Sequence, residues 1–150
     1  MRFTTKTEYG LVCLVFMAKH LSDSFVTITD LVKMERMSET YIQKIFLSLR
    51  MANVVVSHPG RKGGYSLAKH PSQITLKEII EALEGGTFDV FCEPETRKDI
   101  VCTHFCMCGV RPVWAKTKEL LDDFYGSVTL DMLAGEESEA VSLISKKKTS

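Results

Sequence analysis

The sequence predicts a mainly α-helical chain with one small β-hairpin, in which a compact first unit is followed by a long C-terminal helix. Three observations predict it. Two short helical segments separated by a tight turn follow a longer first one. A β-branched run, a glycine-rich turn and a short alternating segment come next, the pattern of a hairpin. A long apolar stripe then runs from Val113 to Tyr125, too long and too apolar for a small domain to cover from one side.

The elements follow in order. The first helix is expected from about Thr5 to His20, with Tyr9, Val12, Cys13, Phe16 and Met17 recurring at spacings of three and four. Thr27 or Thr29 can cap a short helix through Leu31, Val32 and Met34. Ser38 then caps a helix over Glu39–Met51 that buries Tyr41, Ile42, Ile45, Phe46 and Leu49 and shows Thr40, Gln43, Lys44 and Arg50. Val54-Val55-Val56 reads as a strand, Pro59-Gly60-Arg61-Lys62-Gly63-Gly64 as a turn, and Tyr65-Ser66-Leu67 as the returning strand. The glycine turn lacks the Gly-Lys-Ser/Thr ending and lies between strands, which excludes a nucleotide-binding loop. Thr75 caps Leu76–Leu83 with Glu78 three residues on, a capping box, and Gly85-Gly86 ends that helix. Pro112 suits the first turn of the last long helix. Thr129–Leu133 is a short turn or helix, and Ser142–Ser150 a polar, frayed tail. The whole is a winged helix-turn-helix plus a long C-terminal dimerisation helix. The chain is expected to divide into the helix-turn-helix unit with its wing (1–84), a cysteine-rich loop (85–110), the dimerisation helix and following turn (111–135), and a polar tail (136–150).

Whole-chain charge is balanced, but its distribution is not. Residues 1–70 hold ten Lys/Arg against five Asp/Glu, and residues 71–150 hold nine against fourteen. A basic first half suits a nucleic-acid partner. The longest apolar run near the start, Gly10–Ala18, is too short to span a bilayer, so the reading is cytoplasmic with no membrane partner. In such a reducing compartment five cysteines are not expected to form disulfides. Four of them, Cys92, Cys102, Cys106 and Cys108, lie within 17 residues. Soft thiolates in one loop suit an iron–sulfur cluster or a zinc ion equally, and metal-free thiol chemistry is a third reading. Cys13 lies on the apolar stripe of the first helix and reads as core.

For DNA, the candidate readers are Ser38, Thr40, Gln43 and Lys44 at the exposed start of the second short helix. Gln can bond an adenine edge, Thr several edges, and Lys a phosphate. Arg61 and Lys62 sit at the wing tip, where Arg suits a narrow minor groove. Phe88 and Phe91 are expected to anchor the cysteine loop against the long helix.

At this point the residues resemble a known family. The opening Met1-Arg2-Phe3-Thr4-Thr5-Lys6-Thr7-Glu8-Tyr9-Gly10 resembles that of the IscR/NsrR-type regulators, the Rrf-type family. So do Tyr41-Ile42-Gln43-Lys44-Ile45, the wing Gly60–Leu67, Ile74-Thr75-Leu76, and Cys108 with Arg111-Pro112-Val113-Trp114. The resemblance covers roughly residues 1–135, and its strength lies in the order and spacing of these pieces. It implies a homodimeric transcription regulator, usually a repressor, binding a double-stranded operator. It also implies, for many members, a 2Fe-2S or 4Fe-4S cluster on three loop cysteines, here matched by Cys92, Cys102 and Cys108, most simply as 2Fe-2S. The gap from Cys92 to Cys102 is longer than in the iron–sulfur biogenesis regulator, and Cys106 has no counterpart. That regulator's histidine after the third cysteine is absent, because Gly109, Val110 and Arg111 stand there. Cys106, His104 and Glu8 are the candidates for a fourth ligand. Glu8 stands where the nitric-oxide-sensing and redox-sensing relatives use a carboxylate from the partner subunit.

Two other readings stand beside this one. A regulator of the same fold can lack the cluster and sense by thiol oxidation or a small effector, as in cysteine metabolism. A winged helix can also bind proteins in place of DNA. No nucleophile–base pair or carboxylate pair has convincing spacing, so an enzyme is not expected.

Overall fold

A computed structural model describes residues 3–20, 25–35, 37–61, 63–90 and 107–146. Helix α1 (Thr5–Lys19) buries Thr7, Gly10, Cys13, Leu14, Met17 and Ala18. This face is turned from the expected stripe. Cys13 and Met17 are buried as expected, but Tyr9 and Val12 are exposed. The reason is that Gly10–Ala18 is apolar nearly all round, so spacing alone does not select the inner face. At Gly10 the helix lies against the helix before the cysteine loop. A Cβ there would sit 2.6 Å from a Leu83 methyl.

Thr27 is the cap of α2 (Ile28–Glu35). Its hydroxyl accepts the Asp30 N–H at 3.2 Å, while the Asp30 carboxylate accepts the Thr27 N–H at 3.0 Å. Ser38 caps α3 (Glu39–Met51), accepting the Tyr41 N–H at 3.3 Å. Ile42, Ile45, Phe46 and Leu49 of α3 are buried. Tyr41, expected inside, is half-buried, its ring edge-on to Tyr9 and its hydroxyl 3.0 Å from that of Thr5. A phenol keeps its hydroxyl near polar partners at the rim, while its ring packs inward.

Strands β1 (Val55–His58) and β2 (Gly64–Leu67) pair antiparallel in the register Val55↔Leu67 to His58↔Gly64. The sheet also gains a rung that the sequence did not announce. Val26 and Tyr65 exchange both backbone hydrogen bonds at 2.8 Å, tying the segment before α2 to the hairpin. Gly64 makes this possible, because a Cβ there would lie 2.5 Å from the Val26 carbonyl oxygen.

Helix α4 (Leu76–Glu84) begins with the expected capping box of Thr75 and Glu78 and ends at Gly85, whose φ of +88° is left-handed. A helix of 18 residues, α5 (Val110–Ser127), follows the cysteine loop and packs against α4. The chain then returns to the first domain. Leu76 N–H donates to Val128 O at 2.8 Å and Leu130 N–H to Ile74 O at 2.9 Å. Helix α6 (Leu130–Ala134) packs on α1, with Leu130 fully buried among Leu14, Ile42, Ile45 and Ile79 in one core. The expected frayed tail is instead helical to Lys146. In α7 (Glu137–Lys146), Glu137 and Glu139 stand in the first turn and Lys146 in the last, charges that favour the helix dipole. Its polarity holds no buried residue, which is what made the stretch read as tail.

Candidate nucleic-acid interface and sensor loop

The α2–turn–α3 unit turns one polar face outward. Ser38, Thr40, Gln43 and Lys44 are all exposed at the start of α3, on the side opposite Ile42, Ile45 and Phe46. Ser38 spends its hydroxyl oxygen on the helix cap, and its hydroxyl hydrogen is left to donate. Gln43 has one N–H of its amide already engaged. Its Nε2 donates to Glu39 Oε1 at 3.0 Å, one helical turn earlier. Glu39 was not among the residues singled out from the sequence, although a carboxylate one turn before a reading amide was visible there.

The wing stands beside this face. Arg61 is exposed at its tip, and Lys62 lies outside the described residues. A groove between the start of α2 and the wing is lined by Thr27, Thr29, His58, Arg61, Gly63 and Tyr65, among others. At the wing root His58 stacks on Phe25 and meets Ser66 Oγ at 2.8 Å, so the hairpin is held from both sides. Gly63 lies where a Cβ would meet the His58 carbonyl oxygen at 2.1 Å, which explains a glycine in this turn.

The cysteine loop enters and leaves the described structure at two defined points. Phe88, on the way in, rests on Trp114 of α5 with ring centroids 5.9 Å apart, the anchoring expected of it. Phe91, Cys92, Cys102, His104 and Cys106 lie outside the described residues. Cys108, on the way out, is half-buried and not in a disulfide. It stands two residues before α5, and its carbonyl accepts the Arg111 N–H at 3.4 Å. Glu8 is exposed on α1. Among the described residues no group of three or more His, Cys, Asp or Glu is arranged to hold a metal. The donor set nevertheless has the right chemistry for a cluster. Three or four thiolates on one loop are soft ligands suited to iron.

Two joints beneath these surfaces were not visible in the sequence. Glu84, at the end of α4, receives the Thr4 N–H at 3.0 Å and the Thr4 and Thr7 hydroxyls at 2.7 and 2.5 Å, while Lys6 Nζ donates to Leu83 O at 3.1 Å. It thus caps α1 from a distance of some eighty residues along the chain. Partial burial works to raise the Glu84 pKa, but the Thr4 and Thr7 hydrogen bonds and the Lys6 charge outweigh it, holding the carboxyl below its ordinary range. Asp122 of α5 gathers the buried Thr87 hydroxyl, Lys77 of α4 at 3.2 Å and Lys118 at 3.1 Å. Burial again opposes ionisation and these donors again prevail, so its pKa is lowered. Asp122 is therefore a pin through α4, the entry to the loop, and α5.

Comparison with known proteins agrees with this geometry. The Rrf2 family, described as iron-dependent transcriptional regulators, matches residues 3–136. Protein rrf2 of Nitratidesulfovibrio vulgaris is 29% identical over 138 residues, covering 92% of this chain and 90% of that protein. The HTH-type transcriptional regulator IscR of Pectobacterium atrosepticum is 26% identical over 137 residues, covering 91% of this chain and 81% of the other. Among solved structures, CymR, the global cysteine regulator of Bacillus subtilis, superposes with a TM-score of 0.69 at 28% identity, covering 89% of this chain and 96% of that one.

Proposed function

The chain belongs to the Rrf2 family and is a DNA-binding winged helix-turn-helix transcriptional regulator, not an enzyme; from that premise we propose that it is a homodimeric repressor of a specific operator, sensing redox, iron–sulfur or nitric oxide status through its cysteine loop. The observation that carries the DNA reading is the exposed polar start of α3 beside the basic wing. In this reading Thr40, Gln43 and Ser38 face base edges in the major groove, Lys44 a phosphate, and Arg61 with Lys62 the neighbouring minor groove. Residues 1–84 form the reading domain, 85–110 the sensor and 111–135 the dimerisation helix with the turn that leads back to the core. No helix among the described residues is long and apolar enough to cross a membrane; we place the protein in the cytoplasm.

Dimerisation is carried by α5. Tyr125 is its buried residue, while Val113 and Leu120 are 57% and 58% exposed and Trp114 and Phe124 more than a third exposed. An apolar face of this length left open on one chain suits a second copy packed about a two-fold axis.

For the sensor, Cys92, Cys102 and Cys108 are assigned as the thiolates that hold a 2Fe-2S cluster, with Cys106, His104 or Glu8 of the partner subunit completing it. Such a cluster supplies a centre that oxidants and nitric oxide attack. The residues of the chain then connect the loop to the reading domain. Phe88 and Thr87 fix its entry against Trp114 and Asp122, and Cys108 fixes its exit at the start of α5. The likeness to CymR supports a second reading, a cluster-free regulator sensing through the same thiols or a small effector. Anaerobic reconstitution with iron and sulfide separates the two. The cluster reading expects about two irons and two sulfides per monomer and a visible charge-transfer spectrum that Cys92→Ser abolishes. Colourless, iron-free protein that still binds the operator and releases it on thiol oxidation would establish the second. Colourless protein with no affinity for any duplex would support a protein-binding winged helix instead.

A further inference from the structure

We propose that Glu39 and Gln43 act as a single recognition unit that selects bases carrying an amino group in the major groove, cytosine above all. The proposal rests on the DNA-binding reading of α3 and deepens it. Both side chains are exposed, one helical turn apart on the face that α3 offers beside the wing, and Gln43 Nε2 donates to Glu39 Oε1 at 3.0 Å. The direction of that bond is set by chemistry. A carboxylate only accepts, so the amide gives one of its two N–H bonds to Glu39 and keeps its oxygen and second N–H for other partners.

The consequence is that Gln43 is oriented by an acidic neighbour, which adds acceptors to what the amide offers. An unengaged glutamine reads adenine with two bonds, donating to N7 and accepting from N6. Held by Glu39, Gln43 still offers its oxygen and one N–H, and Glu39 adds a carboxylate that only accepts. The pair is therefore weighted toward acceptors, with the Glu39 carboxylate the part that can only accept. In the major groove the donors that match it are the N4 amino group of cytosine and the N6 amino group of adenine, whereas guanine presents only acceptors there and is repelled. Adenine also places its N7 acceptor next to N6, against a carboxylate, which ranks cytosine first for Glu39. Glu39 has a cost on any other sequence. It adds negative charge near the phosphates in a half of the chain that is otherwise basic, so it weakens contact wherever no amino group rewards it. Its place in the first turn of α3 holds the carboxylate stably in the free protein, since that end of the helix favours negative charge.

The test is selection of bound duplexes from a randomised pool by purified wild type, Glu39→Gln, Glu39→Ala and Arg61→Ala, with melting curves confirming that each variant folds. Wild type should prefer cytosine at one position per half-site by roughly five- to a hundredfold. Glu39→Gln, which can pair with N6 and N7 together, should move that position to adenine. Glu39→Ala should lose the cytosine preference, leaving the adenine pairing of the released Gln43, and bind random duplex more tightly than wild type. Identical base profiles for wild type and both Glu39 variants, with Arg61→Ala weakened, overturn the pair while leaving the DNA reading intact. Sequence-independent binding by wild type itself overturns both.

Discussion

Helices α3 and α5 are both amphipathic, yet they finish their structural task differently. Helix α3 seals its apolar side inside one chain, with Ile42, Ile45, Phe46 and Leu49 buried, and leaves a polar side outward. Helix α5 does the reverse, placing Asp122 and Tyr125 against its own chain and leaving Val113, Leu120 and Phe124 open. An exposed polar face is complete in water and waits for a ligand with matching hydrogen bonds. An exposed apolar face is incomplete in water and waits for more protein. The contrast separates reading, which belongs to the single chain, from assembly, which needs two.

The comparison breaks first at Phe46. Phe46→Ala should cost about 3–5 kcal/mol of folding stability, because the core around it is closed and the cavity persists. Chemical denaturation measures this, and a loss below about 1 kcal/mol would mean that α3 is not sealed. The corresponding change in α5 should act elsewhere. Leu120→Glu should leave the far-ultraviolet spectrum intact and convert the dimer to monomer in sedimentation at micromolar concentration, with a fall in operator affinity of at least tenfold. A variant that stays dimeric places the assembly face elsewhere.

Smaller effects sharpen the picture. Glu84→Gln should cost about 1–2 kcal/mol at neutral pH, since the hydrogen bonds it receives from Thr4 and Thr7 lose their charge assistance. Glu84's pKa is lowered by folding, so its stabilisation is fully present above the ordinary glutamate range and disappears as pH falls through the depressed value. The variant's stability should therefore be flatter than wild type on the acid side, and parallel acid limbs would contradict the cap. Lys44→Ala should give the smallest change, weakening all duplexes alike and reducing the salt dependence of binding by about one unit of log–log slope. A change confined to one operator sequence would make Lys44 a base reader.

What could be read from the sequence was local. Ser38 as cap, Thr75 with Glu78 as capping box, Gly85 as helix stop and the glycines of the wing are each decided by two or three neighbouring residues, and the structure has them all. What escaped was set by distant partners. Nothing near Glu84 announces that it caps a helix at the other end of the domain. Nothing near Val26 announces that it pairs with Tyr65. The inner face of α1 escaped for another reason, because a uniformly apolar run carries no period. Of the candidate site, the face of α3 and Arg61 fall where the pattern put them on the surface, while Glu39 went unremarked because acidic residues near DNA are easily taken for solvent-facing charge. Cys92, Cys102, Cys106, His104 and Lys62 lie outside the described residues.

The return of the chain after α5 has a mechanical consequence. Val128 and Leu130 stitch the end of α5 to the start of α4, and Asp122 bolts it a turn and a half earlier, so one end of the helix is fixed to the reading domain. The other end carries Cys108 and the loop. A straight helix of 18 residues spans about 27 Å. It is a lever with its fulcrum at Asp122 and Val128. The arm from Asp122 to Val110 is about 18 Å, so a shift of about 2 Å at the loop end would tilt it by about 6°. Because that end is bonded to the start of α4, which packs on α1 and α3, such a tilt would be passed to the body that carries α3.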